Sequence, residues 1–119
     1  MSFRFRKFAV YKEIVEFVKS IYRTTNQFPK GEFFGLTNQI RRASTSIALN
    51  LAEGSDRGSD KEFKRFISIA IGSANEVVAI LDIALDNEYI NQEAHKIFLE
   101  KAESIVRQLS TLARRLTAS

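Results

Sequence analysis

The residue types that usually carry chemistry are scarce in this chain. There is one histidine and no cysteine. A Glu-x-x-His pair on two helices would suit a di-metal carboxylate site, but Glu93-Ala94-His95 has the wrong spacing. His95 reads instead as a surface or turn-packing residue. Asp82 and Asp86 stand four apart without a partner pair and read as solvated. The stretch Gly54-Ser55-Asp56-Arg57-Gly58-Ser59-Asp60-Lys61 has the look of a phosphate-binding loop. It fails the G-x-x-x-x-G-K-[ST] spacing and has no strand before it. Serines are common, yet no histidine stands ready to activate one. No catalytic residue, metal or cofactor is expected, and the chain is not read as an enzyme.

A polar stripe is more informative. Gln39, Arg42, Ser46, Asn50, Glu53 and Arg57 share one helical face beside the apolar stripe Leu36, Ile40, Ala43, Ile47 and Leu51. Buried polar groups must find partners. Asn50, Glu53 and Arg57 or Arg42 are therefore expected to form a network with Ser73 and Glu76. The network reads as a device that fixes helix register; a ligand or partner site is the alternative.

Four long helices must position these groups. The first is expected from about Phe5 to Thr25, with two apolar stripes: Phe8, Tyr11, Val15, Val18, Tyr22, and Val10, Ile14, Phe17, Ile21. One stripe suffices for a core, so the other suggests contact with a second subunit. A loop from Asn26 to Gly35 carries Phe28, Phe33 and Phe34, expected to plug the end of the fold. The second helix runs from about Thr37 to Ser55. Ser59-Asp60-Lys61-Glu62 is a capping box opening the third, which extends to about Asp86. Phe63, Ile67, Ala70, Ala74, Val77, Leu81 and Ala84 give that helix a sustained heptad, and Gly72 within it suggests close approach of a neighbour. Asn91 is the expected cap of the fourth helix, whose stripe is Phe98, Ala102, Ile105, Leu109, Leu112 and Leu116. The sequence thus predicts an all-α, up-down-up-down four-helix bundle spanning residues 1–119 as a single domain.

Composition agrees. The 119 residues are 45% apolar, with one proline and five glycines to interrupt helices. No uninterrupted apolar run approaches the ~20 residues of a membrane span. The charged start, Met1 to Lys7, lacks a following apolar core and cleavage site, so no signal peptide is expected. Absence of cysteine suits a reducing, cytoplasmic setting. The net charge is +4. In an up-down bundle one end would collect Arg4, Arg6, Lys7, Arg57, Lys61, Lys64, Arg65, Arg107, Arg114 and Arg115 against Glu53, Asp56, Asp60 and Glu62. Ten cations less four carboxylates leave +6, more than the whole chain carries. The other end holds Asp82, Asp86, Glu88 and Glu93.

Several segments are similar to a bacterial family. They are Phe28-Pro29, Glu32, Gly35-Leu36, Gln39-Ile40-Arg41-Arg42-Ala43, Ser46-Ile47, Asn50-Leu51-Ala52-Glu53-Gly54, Arg57, Ile69-Ala70-Ile71-Gly72-Ser73 with Glu76, and the turn at Tyr89-Ile90. Together they resemble the four-helix-bundle proteins encoded in intervening sequences of large-subunit ribosomal RNA genes. Ala48 departs from the pattern, where proline is frequent. The resemblance implies a ring-shaped homopentamer and kinship with accessory proteins of diversity-generating retroelements, which bind a reverse transcriptase and nucleic acid. It also implies that Arg42, Asn50, Glu53, Arg57, Ser73 and Glu76 are architectural.

Two functions follow as expectations. One is a homo-oligomeric scaffold whose basic end binds RNA or an RNA-associated protein through Arg4, Arg6, Lys7, Lys64, Arg65, Arg114 and Arg115. The alternative is a protein–protein interaction module without nucleic-acid contact, using Phe33, Phe34 and the outer helix faces. If the polar network is buried, Asn50→Leu alters the melting temperature or the oligomeric mass; a variant unchanged in both would place Asn50 outside it.

Overall fold

The computed structural model describes residues 3–116; Met1 and Ser2 of the charged start, and residues 117–119, lie outside the described residues. Among the described residues there are four α-helices and no strand: α1 (Ala9–Thr25), α2 (Asn38–Gly54), α3 (Asp60–Asp86) and α4 (Gln92–Arg115). α2 packs on α3, α3 on α4, and α1 on both α2 and α4.

Helix α1 starts later than its periodicity suggests. Arg4–Lys7 form a separate 3-10 turn, and Phe8 is extended (φ −78°, ψ 129°) with no side-chain cap. None of residues 3–8 is a good N-cap type. The extended Phe8 lays its ring against Phe63, centroids 5.9 Å apart. Of the two α1 stripes, Val10, Ile14, Phe17 and Ile21 are buried. The other stays partly open, with Val15 and Tyr22 42% and 41% exposed. Spacing alone cannot choose between adjacent apolar stripes, because both have helical period.

The connection to α2 corrects one expectation. Phe28 is buried and packs against Tyr89, with ring centroids 5.5 Å apart. Phe33 and Phe34 do not plug the fold; they are 54% and 89% exposed. They sit on a wide π-type turn, Phe33–Thr37, in which Gly35 leaves helical geometry (φ −109°, ψ −111°). Glu32 clasps this turn: its Oε1 accepts from the Leu36 N–H (3.0 Å) and its Oε2 from the Tyr89 hydroxyl (2.9 Å).

Caps close the later helices as their residue types dictate. Ser59 Oγ accepts from the Glu62 N–H at 3.1 Å, and Asn91 Oδ1 from the Ala94 N–H at 2.8 Å. The capping box is only half made, since the Glu62 side chain turns to Arg65 instead. All seven heptad residues of α3 are buried, with Phe66 and Ile80 beside them. By length and composition α3 is apolar enough to cross a membrane, one window of it reaching a mean hydropathy of 1.7, although polar residues interrupt its apolar run. Here its apolar residues fill the core together with Phe98, Ala102, Ile105 and Leu109 of α4.

Close helix approach occurs at a glycine other than the expected one. A Cβ on Gly72 would meet nothing within 4 Å, whereas a Cβ on Gly54 would lie 2.5 Å from Phe66 Cβ. Opposite outcomes are expected from the same change. Gly54→Ala forces backbone or Phe66 to shift and costs about 1–3 kcal/mol. Gly72→Ala removes chain entropy from the unfolded state and gains roughly 0.5–1 kcal/mol. Urea denaturation midpoints of the two variants would check both signs.

Candidate nucleic-acid interface

The turn Arg4–Lys7, the end of α2 and the start of α3 meet at one place. Arg4 Nη1 donates to the Ser55 carbonyl oxygen at 3.3 Å. Its guanidinium lies over two rings, 5.7 Å from the Phe8 centroid and 5.3 Å from that of Phe63. Ser55 is buried, and its hydroxyl donates to the Ala52 carbonyl (2.8 Å). Gly58, at φ 85°, then reverses the chain in a conformation that favours glycine. On either side of it Arg57 and Arg65 both stack on Phe66, at 5.0 and 4.7 Å. Each such contact contributes about 0.5–1 kcal/mol at an exposed site. The alternation Phe3-Arg4-Phe5-Arg6 was the available signal for this arrangement.

The cations fall into two groups. Arg57 is hydrogen-bonded to Glu53, and Arg65 to Glu62 at 3.1 Å. The bond from Arg65 holds the Glu62 carboxyl below the usual carboxylate range, and the same bond raises Arg65. Arg65, expected among the cations of the basic end, is therefore partly neutralised by its own neighbour Glu62. Among the described residues, no carboxylate lies within ion-pair reach of Arg4, Arg6, Lys7, Lys64, Arg114 or Arg115. Arg6 rests on Phe3 (5.1 Å), and Arg114 donates to Thr111 Oγ1 (3.1 Å) in the last turn of α4.

The expected polar network divides into pieces. Asn50 Nδ2 donates to the carbonyl and the hydroxyl of Ser46, both at 2.9 Å. Ser46 Oγ in turn shares a hydrogen bond with Ser73 Oγ, 2.9 Å, across α2 and α3. Glu53 and Arg57 pair separately at the exposed end of α2. Arg42 and Glu76 are exposed; they line a cleft with Ser46 and Phe34 but make no side-chain hydrogen bond among the described residues. Helical geometry explains the split. At about 100° per residue, Asn50 lies roughly 60° from the buried Ile47, whereas Arg42 and Glu53 lie roughly 140° and 120° away. Glu53 and Glu76 line different clefts, so no paired-carboxylate site forms between them.

Three contacts escaped the sequence. His95 Nε2 meets Asp82 Oδ1 at 2.8 Å, joining α4 to α3, so Asp82 has a partner after all. Arg41 ties α2 to the end of α1 through Thr25 Oγ1 (2.9 Å), Asn26 Oδ1 (3.0 Å) and the Tyr22 ring (4.7 Å). Tyr89 binds Glu32. All three link residues distant along the chain, and no local spacing announces such pairs.

Residues 6–111 match the family described as 23S rRNA-intervening sequence protein. The chain belongs to that family. The matched range takes in all of α1, α2 and α3 and most of α4, and leaves Arg4, Arg114 and Arg115 outside it. The family is of unknown function and is not a recognised enzyme family. The chain is also similar to a crystal structure from Bacteroides thetaiotaomicron, a protein of unknown function from the S23 ribosomal protein family. That likeness has 25% sequence identity and a TM-score of 0.81, and covers 88% of this chain and 95% of the other. No curated protein matches.

The Glu32 clasp sets a pH dependence. Hydrogen bonds from the Leu36 N–H and then the Tyr89 hydroxyl hold the Glu32 carboxyl below its ordinary value of 4.5. A depressed carboxylate stabilises the fold above its unfolded-state pKa and loses that contribution as pH falls through the folded-state value. The stability advantage of wild type over Glu32→Gln is therefore expected to be full at neutral pH and to shrink once the pH drops below 4.5. Melting temperatures of both proteins across acid pH would check it.

Proposed function

We propose that this protein is a homo-oligomeric scaffold, a ring of five copies, whose basic end binds RNA or an RNA-associated protein such as a reverse transcriptase. In this reading the helices run up-down-up-down. Support comes from paired contacts of opposite sense: Arg4 with Ser55 but Arg41 with Thr25 for α1 and α2, and Ser46 with Ser73 but Gly54 beside Phe66 for α2 and α3. Glu13 holds Ser104 and Gln108, which sets the level of α4 against α1 and brings Arg114 and Arg115 toward the Arg4–Lys7 turn.

The observation that carries the reading is the set of cations at that end that have no carboxylate partner among the described residues, while Arg57 and Arg65 are paired. The molecule is 45 Å long. Acids at the far end lie several Debye lengths away and do little to offset the basic end, since that length is about 8–10 Å at ordinary salt. Phosphate contacts by such cations release counterions. Side-by-side copies would multiply the effect. Val15 and Tyr22 leave apolar surface on α1 that supports self-association. The setting is taken as cytoplasmic, with no membrane partner and no catalysis.

Titration against structured RNA between about 50 and 200 mM salt tests the proposal: affinity falls steeply, and Arg114→Ala with Arg115→Ala flattens the slope by about two. Light scattering gives an oligomeric mass that persists at moderate salt; a monomer would remove the ring. Absence of RNA binding at low salt would favour the second reading, a protein-interaction module. The observation behind that reading is the exposed Phe33–Phe34 pair, held edge-to-face at 4.9 Å.

A further inference from the structure

The cleft between the Arg4–Lys7 turn and the end of α2 brings apolar, acidic and basic side chains together, Arg4 and Arg57 among them. Its volume is about 700 Å³, within the ~300–1,000 Å³ of small-ligand clefts. Phe3, Phe5 and Leu49 give it apolar walls, yet the carboxylates of Glu53 and Asp56 line it too. Carboxylates repel phosphate. They accept hydrogen bonds from the amino groups of nucleobases. Glu53 already holds Arg57, whereas the Asp56 side chain has no hydrogen bond among the described residues.

Phe3 supplies a platform beside these acceptors. Its ring is backed by the Arg6 guanidinium and is 50% exposed. Phe5, 6.1 Å from Phe3, is fixed edge-on against Tyr11 at 5.0 Å. An open aromatic ring flanked by cations is what unpaired bases stack on. A base inside a duplex is covered on both faces and cannot reach such a ring.

We propose that this cleft takes one unpaired RNA base, stacked on Phe3 with its amino edge toward Asp56, while Arg4, Arg6 and Lys7 hold the flanking phosphates. This rests on the reading of the basic end as an RNA surface and narrows it to single-stranded segments.

Fluorescence anisotropy of the full chain with a cytidine tract, a uridine tract and a duplex RNA, each of about 20 nucleotides per strand, tests it. The cytidine tract is expected to bind about tenfold more tightly than the duplex. Phe3→Leu removes most of that advantage and leaves the salt slope unchanged. Asp56→Ala erases the preference for cytidine, which offers an amino group, over uridine, which does not. Both residues are exposed, and unchanged helicity by circular dichroism shows that the variants fold. Salt-dependent binding in which the duplex equals or exceeds the single strands overturns this inference and leaves the RNA-binding reading standing; so does a Phe3→Leu variant with wild-type preference. Failure to bind any of the three RNAs at low salt overturns both.

Discussion

The turn between α2 and α3 is built on one close approach. Gly54 lets the last backbone turn of α2 lie directly on Phe66, where any side chain would collide. That contact fixes how α3 leaves the turn. Phe63, one helical turn earlier, then lies under Arg4 and Phe8, and Phe66 lies under Arg57 and Arg65. Arg4 is fastened to the same place through the Ser55 carbonyl. The geometry of the basic surface is thus set by an apolar and steric constraint beneath it. Repulsion among its charges is tolerated because the rings and backbone below hold the guanidinium groups in position.

Much of the fold could be read from spacing. The heptads of α3 and α4, and the caps at Ser59 and Asn91, depend on local chemistry: which residues repeat on one face, and which side chains satisfy free N–H groups at a helix start. What spacing could not supply was choice between equivalent local options. Two stripes on α1 have the same period, and only packing selected Val10, Ile14, Phe17 and Ile21. Close approach was expected at Gly72, inside a helix, and only the packing of α3 on the end of α2 placed it at Gly54.

The surface shows the same division. The clustering of arginines and phenylalanines near residue 4 was visible, and so was the polar stripe of α2. Their pairing was not. Arg65 turned to Glu62, and Glu53 to Arg57, whereas Arg4, Arg6 and Arg114 meet no carboxylate among the described residues. Asn50 found its partner within its own helix, through Ser46, and reached α3 only by way of Ser73. A charge count gives the size of a patch, but ion pairs decide which of its members remain available.

The stacking of guanidinium groups on rings has a consequence for the dynamics of any docking event. A free arginine samples many rotamers, and immobilising such a side chain on binding costs about 0.5–1.5 kcal/mol. Arg4 and Arg6, lodged against Phe8, Phe63 and Phe3, surrender part of that freedom when the chain folds. An anion arriving there meets groups already ordered, so less entropy is lost at the moment of contact. Lys7 and Lys64 have no such support among the described residues and would still have to be recruited. The surface therefore holds two populations of positive charge, a rigid inner set that fixes position and a mobile outer set that adapts.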